Sequence, residues 1–430
     1  MKGVFRRFDL EGHETTVRQE LAAGTVGFLA TVYIAAINGA ILADAGIPLH
    51  GAIVATILTS LVGCLLMGLW SNAPIILVPG MGVNALFTYT FVQSFGLTWQ
   101  GALAAVFVSG LIFIAIAFTK LTHTLSSAIP ASLKEAITVG IGLFLTFIGL
   151  QKGGIIQADE QTFIAVADLS SPLPLATLLT LCLAIILFIR NAPANFLLTI
   201  VVGTVFGLAL GVSPKSVSSF EAQDMSQFLI MGQLSFTSIT TMIFWVAVFS
   251  LTMVLVFENI GLINGFLQMT GRSEKYQRSL QANAVSALSS GLFGTSPTVA
   301  TVETAAGISA GGRTGLTAIV TGVLFGVTLF FVPYISLIPD SAIAPILLIV
   351  GGLMVQSIKS IAFDDFSEGF PAFLIIALIP LTYSIAEGIA FGFIAYPILK
   401  LAMGKGKDVS IPLYVISSLF LLYIILQTIG

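Results

Sequence analysis

The sequence predicts an all-α polytopic membrane protein built as an inverted repeat of seven plus seven spans. Composition is the first observation behind this prediction: 57% of the 430 residues are hydrophobic and only 9% are charged. A soluble domain carries about 25% charged residues, because its surface must face water. The other two observations are the series of long apolar segments and the recurrence of landmarks between the two halves of the chain.

Apolar segments long enough to cross a bilayer occur along the whole chain. A helix needs about 20 apolar residues to cross a hydrocarbon core of about 30 Å. The first half contains seven such segments, near residues 22–43, 50–70, 74–95, 99–119, 131–150, 172–190 and 194–212. Seven more follow, near residues 239–263, 278–293, 297–311, 314–334, 342–358, 369–384 and 386–402. A last apolar segment occupies residues 409–428, and hydropathy leaves open whether it crosses the membrane.

These spans divide the chain into five parts, and the basic residues orient them. The parts are a cytoplasmic N-terminus (1–21), a first repeat (22–212), a polar linker (213–238), a second repeat (239–402) and a C-terminal hydrophobic segment (403–430). With the N-terminus in the cytoplasm, only Lys152 and Lys215 among the basic loop residues fall outside, as the positive-inside rule favours. We therefore expect a multi-pass protein of the inner (plasma) membrane, embedded in the lipid bilayer.

Landmarks recur between the two halves at a nearly constant offset. Asn38 and Asn84 lie in spans 1 and 3, while Glu258 and Glu303 lie 220 and 219 residues further on, in spans 8 and 10. A proline also opens each of the glycine-rich spans 5 and 12. Coincidence is the alternative explanation, since glycine and proline are frequent here. Because seven is an odd number, the second repeat enters the membrane from the opposite side, an architecture of many secondary transporters.

Spans 3 and 10 do not resemble continuous helices. Two prolines and two glycines lie between Asn72 and Asn84, and span 10 opens Gly294-Thr-Ser-Pro before it reaches Glu303. Each pattern predicts a short extended segment followed by a short helix that begins near the membrane centre. Non-helical backbone is tolerated at that depth only where it is buried in protein or lines a cavity. Two helix N-termini with free N–H groups would then face one point, which outlines a binding site.

Glu258 and Glu303 are the clearest ionisable residues inside the spans, followed by Glu387 near a span end. A charged residue at the membrane centre costs about 2.5–3.5 kcal/mol on insertion scales, so it is a functional candidate by default. A carboxylate at the position of Glu303 would accept the N–H groups of a neutral heterocycle and repel a small anion, and either glutamate could carry a proton. Asn84 and Asn38 would add amide donors and acceptors. The alternative is a structural role, in which each carboxylate caps the broken helix of the other half.

Enzyme, metal and nucleic-acid functions are not indicated by the sequence. It contains neither a His-Glu-x-x-His motif nor a phosphate-binding loop. Transport would therefore be driven by an ion gradient. The two cysteines lie far apart in apolar segments, so we expect neither a metal site nor a cofactor. The net charge of −3 is thinly spread, which argues against a nucleic-acid partner.

Five short motifs follow one another along the chain. They are Phe8-Asp-Leu-Glu-Gly-His-Glu-Thr-Thr, Tyr33-Ile-Ala-Ala-Ile-Asn38 with Asp44-Ala-Gly46, Pro79-Gly-Met-Gly-Val-Asn-Ala-Leu-Phe-Thr-Tyr89, Glu303-Thr-Ala-Ala-Gly-Ile-Ser-Ala-Gly-Gly-Arg-Thr-Gly315 and Pro380-Leu-Thr-Tyr-Ser-Ile-Ala386. With these motifs, residues 4–402 resemble the nucleobase/ascorbate transporter superfamily. The resemblance is strongest to its bacterial branch of azaguanine-type purine permeases.

The resemblance implies a core domain of spans 1–4 and 8–11, a gate domain of spans 5–7 and 12–14, and proton-coupled import of a nucleobase by alternating access. It also implies that Glu258 and Glu303 bind the substrate and couple the proton, and that Asn84 joins them. The other residues implied to line the site are Ala36, Ala85, Thr301 and Val302, with Asn38 and Asn259 as secondary candidates. The resemblance is compatible with a homodimer.

Span 8 departs from this branch, whose members usually carry an Asp-Thr pair there. The present chain has Val256-Phe-Glu-Asn-Ile-Gly-Leu-Ile-Asn264 instead. The substrate therefore stays open between guanine or hypoxanthine, adenine and a non-purine ligand. The alternative functions are an anion transporter of the same inverted fold, and a channel or sensor. An anion transporter would favour a small or basic residue where Glu303 stands.

Overall fold

The computed structural model describes residues 8–119, 121, 128–212 and 230–429. Parts of the predicted N-terminus (residues 1–7) and of the predicted linker (residues 213–229) lie outside the described residues. Within the described part the chain is almost wholly helical. Nine of the helices described there are long and apolar enough to cross a membrane.

A helix, or a strand followed by a helix, lies in each predicted span. The first half contains α1 (Val17–Asp44), α2 (Leu49–Ser71), β1 (Leu77–Pro79), α3 (Met81–Ala85, continued as a π-helix over Leu86–Ser94), α4 (Trp99–Ala117), α5 (Ala131–Lys152), the hairpin strands β2 (Ile156–Asp159) and β3 (Phe163–Val166), α6 (Pro172–Ile189) and α7 (Asn195–Ala209). The second half contains α8 (Met242–Met269), α9 (Tyr276–Phe293), β4 (Thr298–Ala300), α10 (Thr304–Ser309), α11 (Gly315–Ile335), α12 (Asp340–Ser360), α13 (Phe366–Thr382) and α14 (Ile385–Ala402). The last apolar segment forms α15 (Ile411–Ile429), which packs against α14.

The β2–β3 hairpin is an exception to the all-α prediction. Its strands pair antiparallel, with Ile156 opposite Val166. The Asp159 carboxylate accepts hydrogen bonds from the N–H groups of Gln161 and Thr162 at 2.9 and 2.8 Å, which closes the turn. Strands of four residues are too short for a period-two pattern to stand out in the sequence.

The helices pack as two groups. In the first, α1 and α2 pack against each other and against α11, and α4 packs against α8 and α9. In the second, α5 packs against α12 and α13, α12 packs against α6 and α7, and α13 packs against α14. We call α1–α4 with α8–α11 the core group, and α5–α7 with α12–α14 the gate group. The two names follow the core and gate domains that the sequence resemblance implies, and that division into domains stays a prediction.

Two glycines allow α5 and α12 to approach each other closely inside the gate group. A Cβ atom on Gly142 of α5 would lie 2.7 Å from the carbonyl oxygen of Gly351 of α12, and a Cβ atom on Gly351 would lie 2.5 Å from that of Gly142. Both distances are shorter than a van der Waals contact, so only glycine fits at this crossing. Small residues allow helix backbones to approach in the same way throughout membrane bundles. This contact is one physical reason why spans 5 and 12 contain glycine.

Strands β1 and β4 pair antiparallel inside the core group and thereby join the two repeats. Leu77 lies opposite Ala300 and Pro79 lies opposite Thr298, and all six strand residues are buried. Proline disfavours a continuous helix here, and the two extended segments satisfy part of each other's backbone hydrogen bonding. Because the pair is antiparallel, α3 and α10 leave it in opposite directions. Both helix N-termini therefore face the strand pair.

Glu20 fixes the start of α11 to the start of α1. Its fully buried carboxylate accepts hydrogen bonds from the backbone N–H groups of Arg313, Thr314 and Thr317 at 3.0, 3.3 and 3.2 Å, and from the Thr317 hydroxyl at 2.6 Å. The first N–H groups of a helix have no intrahelical partner, and the helix dipole favours a negative charge beside them. The buried charge of Glu20 is therefore structural.

The motif that begins at Phe8 packs on the same end of the core group. Asn72 adopts a left-handed backbone conformation (φ 53°) and donates a side-chain hydrogen bond to the carbonyl oxygen of Phe8 at 3.2 Å. The Lys275 ammonium group donates to the carbonyl oxygen of Asn72 at 2.5 Å and lies 2.8 Å from Nε2 of His13. Burial lowers the pKa of Lys275 to about 8. The motif thus ties the segment before α1 to the loops that follow α2 and α8.

Candidate functional site

Glu303 lies three residues after β4, at the N-cap of α10. Its Oε1 atom accepts a hydrogen bond from the hydroxyl of Tyr33 at 2.5 Å. Tyr33 belongs to α1 and is only 1% exposed. The carboxylate that the sequence singles out therefore lies at a helix start, as predicted, and has a buried phenol as its partner.

Glu258 lies on α8, which is held against β4 by the neighbouring residue Asn259. The Oδ1 atom of Asn259 accepts a hydrogen bond from the backbone N–H of Ala300 at 2.9 Å, and its Nδ2 atom donates to the carbonyl oxygen of Leu255 at 2.8 Å. Both polar atoms of Asn259 are thus used in holding the strand. Glu258 itself is half-buried, and its carboxylate has no hydrogen-bond or ion-pair partner among the described residues.

The residues between β4 and Glu303 combine a buried hydroxyl with an exposed apolar side chain. Thr301 is 7% exposed, and its hydroxyl has no hydrogen-bond partner of normal geometry in the described part of the chain. Val302 is 60% exposed, so space is open beside Glu303. Ala36, one turn after Tyr33 on α1, is 6% exposed and leaves little bulk on that face.

Asn84 and Asn38 belong to a buried polar network at the other end of the strand pair. The Ser296 hydroxyl lies 2.5 Å from Oδ1 of Asn84 and 3.4 Å from Oδ1 of Asn38. The Nδ2 atom of Asn38 donates to the hydroxyls of Thr56 and Thr295 at 2.8 and 3.0 Å. Both asparagines are fully buried, and Nδ2 of Asn84 has no partner in the described part of the chain. Both amide atoms of Asn38 therefore have partners, whereas Asn84 keeps one unused donor.

The structure thus divides the predicted site residues between two clusters. What we call the glutamate cluster comprises Thr301, Val302 and Glu303, which follow β4, together with Glu258 on α8, whose neighbour Asn259 binds the end of β4. The amide cluster lies before β4 and comprises Asn38, Asn84, Thr295 and Ser296. A paired segment of three residues is about 7 Å long, so both clusters flank one short strand pair. Ala85, predicted to line the site, is fully buried in packing next to Asn84.

Tyr33 and Ser296 contact predicted site residues, Glu303 and Asn84, and were not themselves predicted from the sequence. Tyr33 opens one of the motifs quoted above, but a tyrosine in an apolar span resembles an ordinary core residue. Ser296 precedes Pro297 in the broken span 10, and its position beside two asparagines depends on the β1–β4 pairing. Tyr33 could have been found from its place in a motif, and Ser296 from its place in a helix break. Residue type alone does not distinguish either of them from an ordinary core residue.

A cluster of charged and aromatic residues joins the core group to the gate group at the predicted extracellular end. The Nζ atom of Lys152, at the end of α5, lies 2.5 Å from Oδ2 of Asp44 at the end of α1 and 4.0 Å from Oδ1 of Asp340 at the start of α12. The Tyr89 hydroxyl donates to Oδ2 of Asp44 at 2.9 Å. We call these four residues the Lys152 cluster. Lys152 is one of the two basic residues that the charge pattern places outside, and these contacts give its ammonium group acidic partners there.

Comparison with known proteins identifies relatives along most of the chain. The sequence profile of a permease family matches residues 18–391. The nucleobase transporter PlAzg2 of Paenibacillus larvae is 55% identical over 383 residues, which are 88% of this chain and 76% of that protein. The guanine/hypoxanthine permease PbuO of Bacillus subtilis is 37% identical over 425 residues, which are 96% of this chain and 98% of that protein.

A solved structure shares the fold. The transmembrane domain of the cyanobacterial bicarbonate transporter BicA superposes with a TM-score of 0.65 at 17% identity, over 86% of this chain and 96% of that domain. Identity at this level shows the fold alone. The predicted fold class, a helical membrane protein of the inverted-repeat type, is confirmed by this likeness.

Proposed function

Because the chain belongs to the permease family of nucleobase and ascorbate transporters, we propose that it imports a nucleobase together with a proton. The substrate is most naturally a purine, either guanine and hypoxanthine or adenine. The observation that carries this proposal is the glutamate cluster: Glu303 lies at the start of α10, and Glu258 lies on α8, the helix that Asn259 holds against β4. The names of the two relatives, a nucleobase transporter and a guanine/hypoxanthine permease, support the same substrate class.

The chemistry of the glutamate cluster suits a neutral heterocycle. A nucleobase presents ring and exocyclic N–H donors, and an ionised carboxylate has acceptors and no donor. Charge-assisted hydrogen bonds of this kind are shorter and stronger than neutral ones. The buried hydroxyl of Thr301 and the apolar side chains of Val302 and Ala36 would line the rest of a flat pocket. Asn84 would contact the substrate from the other side of the strand pair.

The carboxylates also argue against transport of a small anion. An anion would meet Glu258 and Glu303 instead of a basic or small residue, and like charges repel strongly at membrane depth, where screening is weak. The fold shared with a bicarbonate transporter does not weigh against this, because one fold hosts many functions.

Proton coupling follows from the same two carboxylates. An ionised carboxylate inside a membrane is costly, and the cost falls away when the group is protonated. Binding of a proton and of a substrate at one cluster would link the two. Glu303 already has a phenol partner, whereas Glu258 has no partner among the described residues, so we assign the coupling proton first to Glu258.

Alternating access would come from movement of the core group against the gate group. The Lys152 cluster connects the two groups at the end that the positive-inside rule places outside, with the N-terminus in the cytoplasm. An ion pair between two groups of helices that move against each other can stabilise one of their two relative positions. We propose that the Lys152 cluster holds the extracellular side closed.

Uptake by the purified protein in proteoliposomes tests the proposed function. Labelled guanine, hypoxanthine, adenine and uracil are offered with an inward proton gradient, with and without an uncoupler, and bicarbonate is offered in parallel. We expect concentrative uptake of at least one purine that the uncoupler abolishes. Flow that only equilibrates a base would indicate a channel, and uptake of bicarbonate alone would establish the alternative anion transporter.

Lys152→Met is expected to open the extracellular side. The variant removes the ammonium group between Asp44 and Asp340, while a methionine still fills the space. We expect Ala40→Cys, one turn before Asp44 and 8% exposed, to react several-fold faster with a membrane-impermeant maleimide added from outside. Lys400→Met is the matched control, because Lys400 pairs at 2.7 Å with Glu368 inside the gate group. Equal labelling of the Lys152→Met and unaltered proteins would contradict the assigned role.

A further inference from the structure

Tyr33 contacts both a site carboxylate and a helix of the gate group. Its hydroxyl donates to Oε1 of Glu303 at 2.5 Å, within the core group. Its ring packs on the ring of Phe196, near the start of α7, with centroids 4.8 Å apart and planes inclined at 58°. Tyr33 is 1% exposed and Phe196 is 7% exposed, so both contacts lie in the protein interior.

The ring contact determines where the hydroxyl can lie. A tyrosine side chain has only two rotatable bonds before the ring, so a ring held by a neighbour holds its hydroxyl as well. Tilted aromatic pairs contribute about 0.5–1.5 kcal/mol beyond the area they bury. Phe196 is in turn stacked on Phe188 of α6, with centroids 6.3 Å apart, so the contact is part of the gate group's own packing.

We propose that Tyr33 is a positioning residue that makes the state of Glu303 depend on the position of the gate helix α7. While Phe196 holds the ring, the hydroxyl donates to Glu303 and fixes the position of one carboxylate oxygen. When α7 moves away from α1, the ring loses its neighbour and the carboxylate loses its fixed donor. As a device for substrate binding this inference rests on the proposed function, but the Tyr33–Glu303–Phe196 contacts can be tested without a substrate.

Carbodiimide labelling reads the state of the carboxylate directly. Dicyclohexylcarbodiimide enters membranes and adds to protonated carboxyl groups, and the resulting N-acylurea is measured on the separated peptides by mass spectrometry. Glu258 serves as the reference inside the same molecule, because it has no partner among the described residues. A hydroxyl donor favours the ionised form of a carboxylate, so its loss should speed the labelling of Glu303.

Three variants separate the contacts. Tyr33→Phe keeps the ring and removes the donor, and we expect Glu303 to be labelled about ten-fold faster, which is typical of losing one hydrogen bond to a charged group. Phe196→Ala removes the neighbouring ring and should speed the labelling of Glu303 at least about two-fold, with no further effect in the Tyr33→Phe background. Phe206→Ala on the same helix is the matched control and should change neither glutamate.

Each outcome of the labelling experiment either supports the proposal or contradicts it. Faster labelling of Glu303 in Tyr33→Phe and Phe196→Ala, with constant labelling of Glu258, supports the proposal. So does an unaltered labelling rate of Glu303 in Phe196→Tyr, which keeps an aromatic ring at this position. An unchanged rate for Glu303 in Tyr33→Phe or in Phe196→Ala overturns it, as does an equal increase at both glutamates, which would indicate general loosening. Binding of guanine, hypoxanthine and adenine is measured on the same samples. Absence of binding by the unaltered protein would count against the proposed function alone, because the labelling needs no substrate.

Discussion

Glu303→Gln is expected to abolish nucleobase binding while the protein stays folded in detergent. The side chain keeps its size, but one oxygen becomes an NH₂ group that opposes the N–H donors of a base. A hydrogen bond to a charged group contributes about 1.5–3 kcal/mol, and an unpaired donor adds a further cost. We therefore expect Kd to rise at least about 100-fold, measured by calorimetry or by a thermal-shift titration with guanine, hypoxanthine and adenine.

A matched control distinguishes this effect from a general loss of charge in the membrane. Glu387→Gln neutralises another carboxylate of the predicted spans, in the first turn of α14 in the gate group. We expect it to leave the Kd within about two-fold of the unaltered protein. An unchanged affinity in Glu303→Gln would remove Glu303 from the substrate site.

Glu258→Gln is expected to uncouple transport from the proton gradient. Uptake by the unaltered protein should fall as the external pH rises, because a protonated carboxylate is then harder to form. With one proton per substrate, a gradient of one pH unit supports about ten-fold accumulation. In the variant the accumulation ratio should fall to about one and the pH dependence should disappear, measured with labelled base in proteoliposomes at several external pH values.

Exchange measurements separate uncoupling from inactivation. Counterflow of labelled against unlabelled base needs no proton gradient, so Glu258→Gln should retain it. Glu258→Asp keeps a carboxyl group and should retain the pH dependence, so the shapes of the two pH profiles should differ. A retained pH profile in Glu258→Gln would assign the coupling proton to another group.

The sequence predicted the fold class because membrane folding obeys rules that act on short segments. A bilayer requires about 20 apolar residues per helix and tolerates non-helical backbone only inside protein. The spans, the two breaks at β1 and β4, and the isolated glutamates of α8 and α10 follow from these rules. These rules do not apply to polar segments, which is why the β2–β3 hairpin was not predicted.

Partnerships across the bundle could not be predicted in the same way. Tyr33 and Glu303 are 270 residues apart, and Ser296 and Asn84 are 212 residues apart. Hydropathy contains no information about which face of one span meets which face of another. The assignment of Asn38 and Asn84 to a separate amide cluster, for example, depends on the antiparallel register of β1 and β4.

By itself, the sequence determined that this protein is a helical membrane protein of the inverted-repeat type, and it singled out Glu258 and Glu303 as candidate site residues. That conclusion rests on composition, length and spacing, which are local properties of the chain. Only the tertiary structure decided that Glu303 is paired with Tyr33, that Glu258 has no partner among the described residues, and that Lys152 joins the two helix groups. The physical reason is that hydrogen bonds and ion pairs depend on distances of about 3 Å, which packing alone sets.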